Sequence, residues 1–461
     1  MEFLNRTEEK SRLSRFLKDQ TASFACLYGR RRCGKSRLLQ ETVARVSRAV
    51  YHVADLGEPT LQRARLAADI STILQGFDRV SYPDWGALLD RWCADAPKGS
   101  VLILDEFPYL AERSPELPSI LQRIIDRLTG SDRKIVICGS SQRMMHGLVL
   151  DASEPLYGRA REILNVKPLS FPWTEKAFPA LSALERLELY SVWGGVPRYW
   201  ELQCGYPNLR SALRDLLFSP QGILREEPRR LLLDDLSDLA QAASVLSLIG
   251  NGARRASEIA SRLGIAATAL SRPIRRLQDL GLVAKDIPFG CEEKDNKRSF
   301  YRVADPFLSF WYRFVQPNLS DSSFLQTEED YRIFHEDFRI RLGEHWEQLV
   351  RESLPGCPFP SSPLRWKNVR RWWGTGTNRA PMEIDVVAES RDGSTLLVGE
   401  AKLSLTRTEA RHVRAELAAK AEQLPFAKQY KTIVPVLFVA EKAPDPDCVT
   451  LDWLSLSKTQ D

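Results

Sequence analysis

Short apolar runs and helically spaced apolar residues alternate along the first third of this chain. Residues 23–28, 49–53, 101–105, 134–141 and 162–166 read as strands. Val101-Leu-Ile-Leu is apolar throughout, as expected of a strand covered on both faces of a parallel sheet. Between the strands, residues 36–46 place Leu38, Leu39, Val43 and Val46 on one side of a helix. Residues 60–74 and 85–94 are helical in the same way, and 3–16 is a polar, Arg-rich helix start opening near Thr7. This alternation predicts a doubly wound α/β domain. From 172 to 236 the pattern stays helical, broken only at Gly194, Gly195 and Pro197.

The second half changes character. Residues 240–250, 255–264 and 266–280 read as three helices, and 281–285 and 299–303 as two strands around a charged hairpin at 292–298. Proline is tolerated only in a first turn, so Pro273 predicts that the third helix starts near Ser271. Residues 305–314, rich in aromatics at helical spacing, are expected to be interdomain core, and 320–327 a polar linker. An amphipathic helix at 334–353 opens the last unit. Strands at 365–373, 382–388 and 396–402, a helix at 408–423 and a strand at 432–439 follow. A usual size of about 150 residues suggests about three domains; the pattern divides the chain into 1–168, 169–236, 237–318 and 319–461.

Onto this pattern falls Gly29-Arg-Arg-Arg-Cys-Gly-Lys-Ser36, which fits G-x-x-x-x-G-K-[ST] between a strand and a helix. In that context backbone N–H groups and a helix N-terminus surround a phosphate. Gly29, Arg30, Arg31, Arg32, Cys33, Gly34, Lys35 and Ser36, with Arg37 behind them, are the expected nucleotide cradle. Lys35 should reach the β- and γ-phosphates and Ser36 should ligate Mg²⁺. Asp105 at the carboxyl end of its strand is placed to hold the same Mg²⁺, and Glu106 to polarise the attacking water. The next buried strand ends in Ser140 and Ser141, and its place is similar to that of the strand whose polar end senses the γ-phosphate in P-loop ATPases with an extra strand before it, which implies that role for one of the two. Phe3 to Glu9 resembles an F-x-x-R-x-x-E stretch that lies near the adenine in AAA-like ATPases, which implies Arg6 there, and the helical segment after 172 resembles the lid of such ATPases, which implies Arg198 at the γ-phosphate.

In the third helix of the middle unit, Ser271, Arg272, Arg275, Arg276 and Gln278 fall on the exposed side. A helix–turn–helix presents such a helix to a DNA major groove, where Arg272, Arg275 and Arg276 can meet phosphates or guanine edges. In the last unit, residues two apart on a strand share a face, so Glu400 and Lys402 project together and Asp385 on the neighbouring strand can join them. Two carboxylates there can hold Mg²⁺ while the lysine orients or activates water.

The loop motif, Asp105-Glu-Phe-Pro-Tyr-Leu110, Cys138-Gly-Ser-Ser141, Pro155-Leu-Tyr-Gly-Arg159 and Gly194-Gly-Val-Pro197 occur in one order. Together they resemble the archaeal-type ATPase family, a branch of the P-loop ATPases near the STAND group and the origin-recognition proteins. The resemblance spans residues 1 to about 320. It implies ATP as ligand, Arg159 among the nucleotide-binding residues, a helical lid at 169–236 and a winged helix after it. The helix, strand, Asp-strand, Glu-x-Lys-strand, helix, strand order of the last unit resembles the PD-(D/E)xK nuclease fold. That second resemblance implies Asp385, Glu400 and Lys402 as catalytic residues, with Glu347 on the first helix as a further metal ligand.

Composition narrows the setting. A hydrophobic fraction of 43% and a charged fraction of 27% are those of an ordinary globular chain. No run of 18 apolar residues occurs, and the first residues lack the apolar segment of a signal peptide, so no membrane association is expected. The eight cysteines are scattered and only five histidines are present, which argues against a zinc site and for reduced thiols in the cytoplasm. A net charge of +5 permits nucleic-acid binding without requiring it. The expectation is a P-loop ATPase that uses ATP and Mg²⁺, contacts double-stranded DNA, is open to homo-oligomer formation, and carries a nuclease-like tail. The alternative is a STAND-type signalling switch whose tail is an inactive partner-binding module.

Overall fold

The computed structural model describes residues 3–451 except 129, 234, 237, 293–297, 322–323, 356–357, 360–361 and 442. The tip of the charged hairpin and the middle of the polar linker therefore lie outside the described residues.

Among the described residues, five parallel strands form the first sheet: β1 (Phe24–Tyr28), β2 (Ala49–Val53), β3 (Val101–Asp105), β4 (Lys134–Gly139) and β5 (Glu162–Asn165), in the spatial order β2-β3-β4-β1-β5. Alternate residues of β1 go to opposite faces. Phe24 and Cys26 enter one apolar cluster, while Ala25 and Leu27 enter another. Helices thus cover the sheet on both sides, which is why its strands are apolar at nearly every position. The helix Lys35–Val43 begins directly after the loop that follows β1. The order places β4 between β1 and β3, so the loops after all three strands open at one end of the sheet.

Short helices from Trp173–Ala177 to Glu227–Leu233 follow and share an apolar cluster with the later units, two of them joined through Gly194 and Gly195. A Cβ on Gly195 would fall 1.7 Å from the Leu169 carbonyl oxygen, so no other residue fits there. The middle unit comprises the helices Leu239–Gly250, Ala256–Leu263 and Ala267–Asp279 and the antiparallel pair β6 (Val283–Asp286) and β7 (Phe300–Val303). The third helix starts at Ala267, not near Ser271, and carries Pro273 in its interior. Its buried stripe, Leu270, Ile274 and Leu277, holds it in place where local propensity would end it.

A second sheet, six-stranded among the described residues, forms the last unit. It contains β8 (Pro358–Phe359), β9 (Ser362–Thr375), β10 (Pro381–Ser390), β11 (Thr395–Lys402), β12 (Thr432–Val439) and β13 (Cys448–Thr450). β9, β10 and β11 run antiparallel, and β12 and β13 continue in parallel with β11. The helices Glu328–Ser353 and Arg407–Glu422 pack on it. One apolar cluster runs from the lid helices through residues 305–315 into this unit, as the aromatic run predicts.

Phe289 and Phe300, on the two sides of the hairpin between β6 and β7, dock on the second sheet. The Phe289 amide donates to the Arg371 carbonyl at 2.9 Å, and its ring packs 5.2 Å from that of Phe426. Phe300 stacks on Trp373 at 4.8 Å. Burial of one phenylalanine contributes about 2 kcal/mol, so this contact joins the two units firmly. No helix among the described residues is long and apolar enough to cross a membrane.

Candidate functional site

β1 delivers the chain into a loop whose backbone is dictated by its glycines. Gly29 has φ 146°, and a Cβ there would lie 2.4 Å from the Val166 carbonyl oxygen. Gly34, at φ 87°, and Arg32, at φ 68°, are left-handed. Such reversals turn successive N–H groups toward one concavity, which the first turn of Lys35–Val43 completes. The Lys35 ammonium donates to the Gly29 and Arg30 carbonyls at 2.9 and 3.1 Å and is nearly buried. Beside the loop lies a cavity of about 440 Å³, a size suited to a nucleotide. Gly34, Lys35, Ser36 and Glu106 form its polar wall, and Phe3, Leu4, Leu202 and Ile223 its apolar wall.

The other side chains of the loop are tied to distant parts of the chain. Arg30 pairs with Asp305, Arg31 donates to the Tyr109 hydroxyl at 2.9 Å, Arg32 lies 3.1 Å from Glu227, and Arg37 lies 3.5 Å from Glu201. Arg31, Arg32 and Arg37 still line the cavity, whereas Arg30 and the wholly buried Cys33 thiol offer a ligand only backbone. Burial pushes that thiol up against the opposing pull of Arg30 and Lys35. Arg6 is buried and bridges the Cys33 and Lys167 carbonyls at 3.0 and 2.6 Å, which braces the loop at the cavity edge. Arg198, at the cavity rim, pairs with Glu201. Arg159 is the clear departure from expectation. Its donors go to Asp126 at 2.9 and 3.1 Å and to the Pro155 carbonyl, and it lies outside the cavity lining.

At the end of β3 the Asp105 carboxylate is buried. It accepts the Tyr51 hydroxyl at 2.5 Å and the Glu106 amide at 2.9 Å. Glu106 adopts a left-handed backbone, φ 54°, which costs a non-glycine residue energy and turns its side chain into the opening. Its carboxylate accepts the Ser140 hydroxyl at 2.8 Å and the Ser140 amide at 3.2 Å. Ser141 faces elsewhere: it caps the helix Gln142–Leu150 and meets Asp235 at 3.1 Å. Tyr51 has no counterpart in the sequence reading. Its signal is strand parity: β2 pairs Tyr51 with Ile103 and Val53 with Asp105, so positions 51 and 105 share one face.

The last unit gathers a second group. The ladder between β9 and β10 slips between Ile384 and Val387, and a slip of this kind re-aims side chains. β10 pairs with β11 as far as Val386 and Gly399; one residue further on, Asp385 and Glu400 flank the opening. Asp385 accepts the Ala401 amide at 3.0 Å, and Lys402 donates to Glu400 at 2.8 Å. From the helix Glu328–Ser353, Arg351 donates to the Asp385 carbonyl at 2.8 Å and lies 3.5 Å from Glu347. Burial first, and the Asp385 charge second, push the Glu347 carboxyl up to about 7. Asp385 is raised by burial and by Glu400. For Lys402 burial works against the charge, but the bond to Glu400 and the three carboxylates together hold its ammonium up. The four residues therefore sense one another. Among the described residues no three His, Cys, Asp or Glu side chains form a group that could hold a metal, so Glu347 does not complete a three-carboxylate set.

On the helix Ala267–Asp279, Ser271, Arg272 and Arg275 are exposed. Arg276 and Gln278 are half-buried, and Arg276 lines a shallow cleft with Asp238.

Comparison with known proteins gives three family matches. Residues 3–202 match an ATPase domain predominantly from Archaea, residues 235–288 the MarR family, and residues 311–413 archaeal and bacterial proteins of unknown function. An uncharacterised protein of Methanocaldococcus jannaschii is 27% identical over 459 residues, which is 98% of this chain and 99% of that one. Among solved structures, the Walker-type ATPase of Pyrococcus abyssi matches at TM-score 0.53 and 20% identity, over 68% of this chain and 96% of that one. The ORC2 protein of Aeropyrum pernix matches at TM-score 0.43 and 16% identity, over 69% and 94%. The N-terminal part of the chain is thus an ATPase domain with a P-loop fold, followed by a winged helix.

Proposed function

We propose that this ATPase couples its nucleotide state to DNA contact by the winged helix and to a nuclease-like site in the C-terminal unit. The first site hydrolyses a phosphoanhydride. Lys35 and the loop N–H groups bind the phosphates, and Glu106, held by Ser140, takes a proton from the attacking water. Ser36, in the cavity wall, and Asp105, at the carboxyl end of β3, fit a magnesium ion, because both offer hard oxygen donors. Magnesium, when bound, neutralises charge on the phosphates. Arg272 and Arg275, with Arg276 beside them, contact the DNA backbone or guanine edges of double-stranded DNA.

The observation that carries the nuclease reading is the convergence of Asp385, Glu400 and Lys402 at the open end of β10 and β11. The strand order and helix placement of residues 319–461 support a PD-(D/E)xK arrangement, in which Asp385 and Glu400 hold magnesium and Lys402 orients water. Plasmid incubated with purified protein and Mg²⁺, with and without ATP, tests it. Cleavage by the parent and its loss in Asp385→Ala, with ATP hydrolysis retained, is the expected result. Intact plasmid under every condition would refute it.

A second reading has its own support. Glu400 is engaged by both Lys402 and Lys420, the latter at 3.7 Å, and no three-carboxylate group forms among the described residues. A STAND-type switch with a partner-binding tail fits such a neutralised site.

A further inference from the structure

A cleft lies where the winged helix meets the last unit, and it shares no lining residue with the nucleotide cavity. Its larger part, about 450 Å³, is walled by Arg254, Arg302 of β7, Arg313, Arg341 and Arg351 of the helix Glu328–Ser353, and Arg371 of β9. Five carboxylates stand among these six arginines. One of them, Glu344, serves both Arg254 at 2.8 Å and Arg341 at 3.1 Å. The smaller part, about 200 Å³, shares Arg302, Arg351 and Arg371 and adds Lys285 and Arg370. Its five cations face only two carboxylates, Asp286 and Glu352. Among the described residues, Nη1 of Arg302 and Nε of Arg371 are buried in the shared wall with no acceptor. A buried N–H left unpaired is costly. Guanidinium charges gathered this closely also repel, and an arginine cannot relieve that by losing its proton. His345, on the same long helix, registers the field: burial first, then Arg341 and Arg302, push its imidazole down to about 3.

We propose that this cleft binds the phosphate groups of a nucleic-acid strand or of a free nucleotide. A phosphate offers oxygens in several directions, so it can accept from arginines on different elements at once. Cations spread over two adjoining cavities suit more than one phosphate. Arg351 lines both cavities and donates to the Asp385 carbonyl at 2.8 Å, so the cleft ends beside the nuclease-like residues. The binding itself does not depend on whether those residues cleave.

The test uses inorganic pyrophosphate as probe, titrated calorimetrically into the full chain in metal-free buffer. Lys35→Ala is the common background, so that the phosphate loop does not take the probe. That background should bind pyrophosphate. Adding Arg302→Gln removes one charge-assisted contact and keeps a donor for Asp286, and should weaken binding roughly tenfold. Arg313→Glu reverses the charge of an exposed wall residue without disturbing the buried ion pairs, and should also weaken binding. No binding in the background, or unchanged affinity in both variants, would overturn the proposal. So would an Arg302→Gln chain that melts lower yet binds pyrophosphate as tightly, since a purely structural ion-pair network gives that result. Competition identifies the source. Displacement of pyrophosphate by a single-stranded oligonucleotide assigns the cleft to a strand, and displacement by ADP alone assigns it to a free nucleotide. Either upholds the phosphate site, and displacement by neither overturns it. With no Mg²⁺ present cleavage does not enter the readout, so the nuclease reading can fail while this one stands.

Discussion

Arg30 of the phosphate loop and Asp305, at the start of the helix Pro306–Phe310, form an ion pair with both side chains buried, at 9% and 8% exposure. Asp305 also caps that helix through the Leu308 amide at 2.8 Å. The loop that holds phosphate is thus tied directly to the segment that follows the winged helix, 275 residues away. Arg32 repeats the pattern through Glu227, whose other contact is the Tyr199 hydroxyl at 3.0 Å. These ties join the phosphate loop to the helices before the winged helix and to the segment after it.

Removing one partner of a buried pair leaves the other charge uncompensated. Asp305→Asn, which retains a cap, should destabilise the fold by roughly 3 kcal/mol. Adding Arg30→Met should restore part of that loss. Chemical denaturation of the two variants checks both, and equal stability of parent and Asp305→Asn would show the pair to be energetically idle.

Glu106 separates binding from turnover. Glu106→Gln keeps the shape and the Ser140 contact but cannot accept a proton, so hydrolysis should fall by about 10²–10⁴-fold with nucleotide affinity retained. Phosphate-release kinetics beside calorimetric binding decide it; a parental rate would remove Glu106 as the base.

The winged helix is tested by salt. Arg272→Ala with Arg275→Ala should weaken duplex binding and lower the salt slope by roughly one unit for each lost phosphate contact. Arg276→Ala should change it less, because that side chain is half-buried beside Asp238. Fluorescence anisotropy across a salt series gives the slopes. An unaltered slope in the double variant would move this helix to a packing role.

Glu347 makes stability depend on pH. Its carboxyl is raised from 4.5 to about 7, so the stability its neutral form supplies is complete below pH 4.5 and is lost as pH rises through 7. Glu347→Gln stays neutral. It should match the parent near pH 4.5 and exceed it by roughly 2–3 kcal/mol at pH 8. Melting curves at the two pH values check this, and a constant offset between the chains would contradict it.

Local patterns carried much of this protein. The strand–loop–helix around Lys35 was legible because a phosphate loop needs glycines at set positions and a strand on one side of it. The shared face of Glu400 and Lys402 follows from the two-residue period of a strand, and Asp385 from the hairpin that pairs β10 with β11. The helices and strands of the winged helix showed in their apolar spacing. Tertiary structure alone decided where long polar side chains ended. Arg159 left the cleft for Asp126, Arg30 turned to Asp305, and Tyr51 reached Asp105 from a neighbouring strand. Phe289 likewise buried itself in another unit's core, and Pro273 sat inside a helix that packing kept intact. A periodicity is written in consecutive residues, so sequence can show it. A guanidinium or phenol bonds whichever carboxylate the packed chain brings within reach, and no stretch of sequence contains that distance.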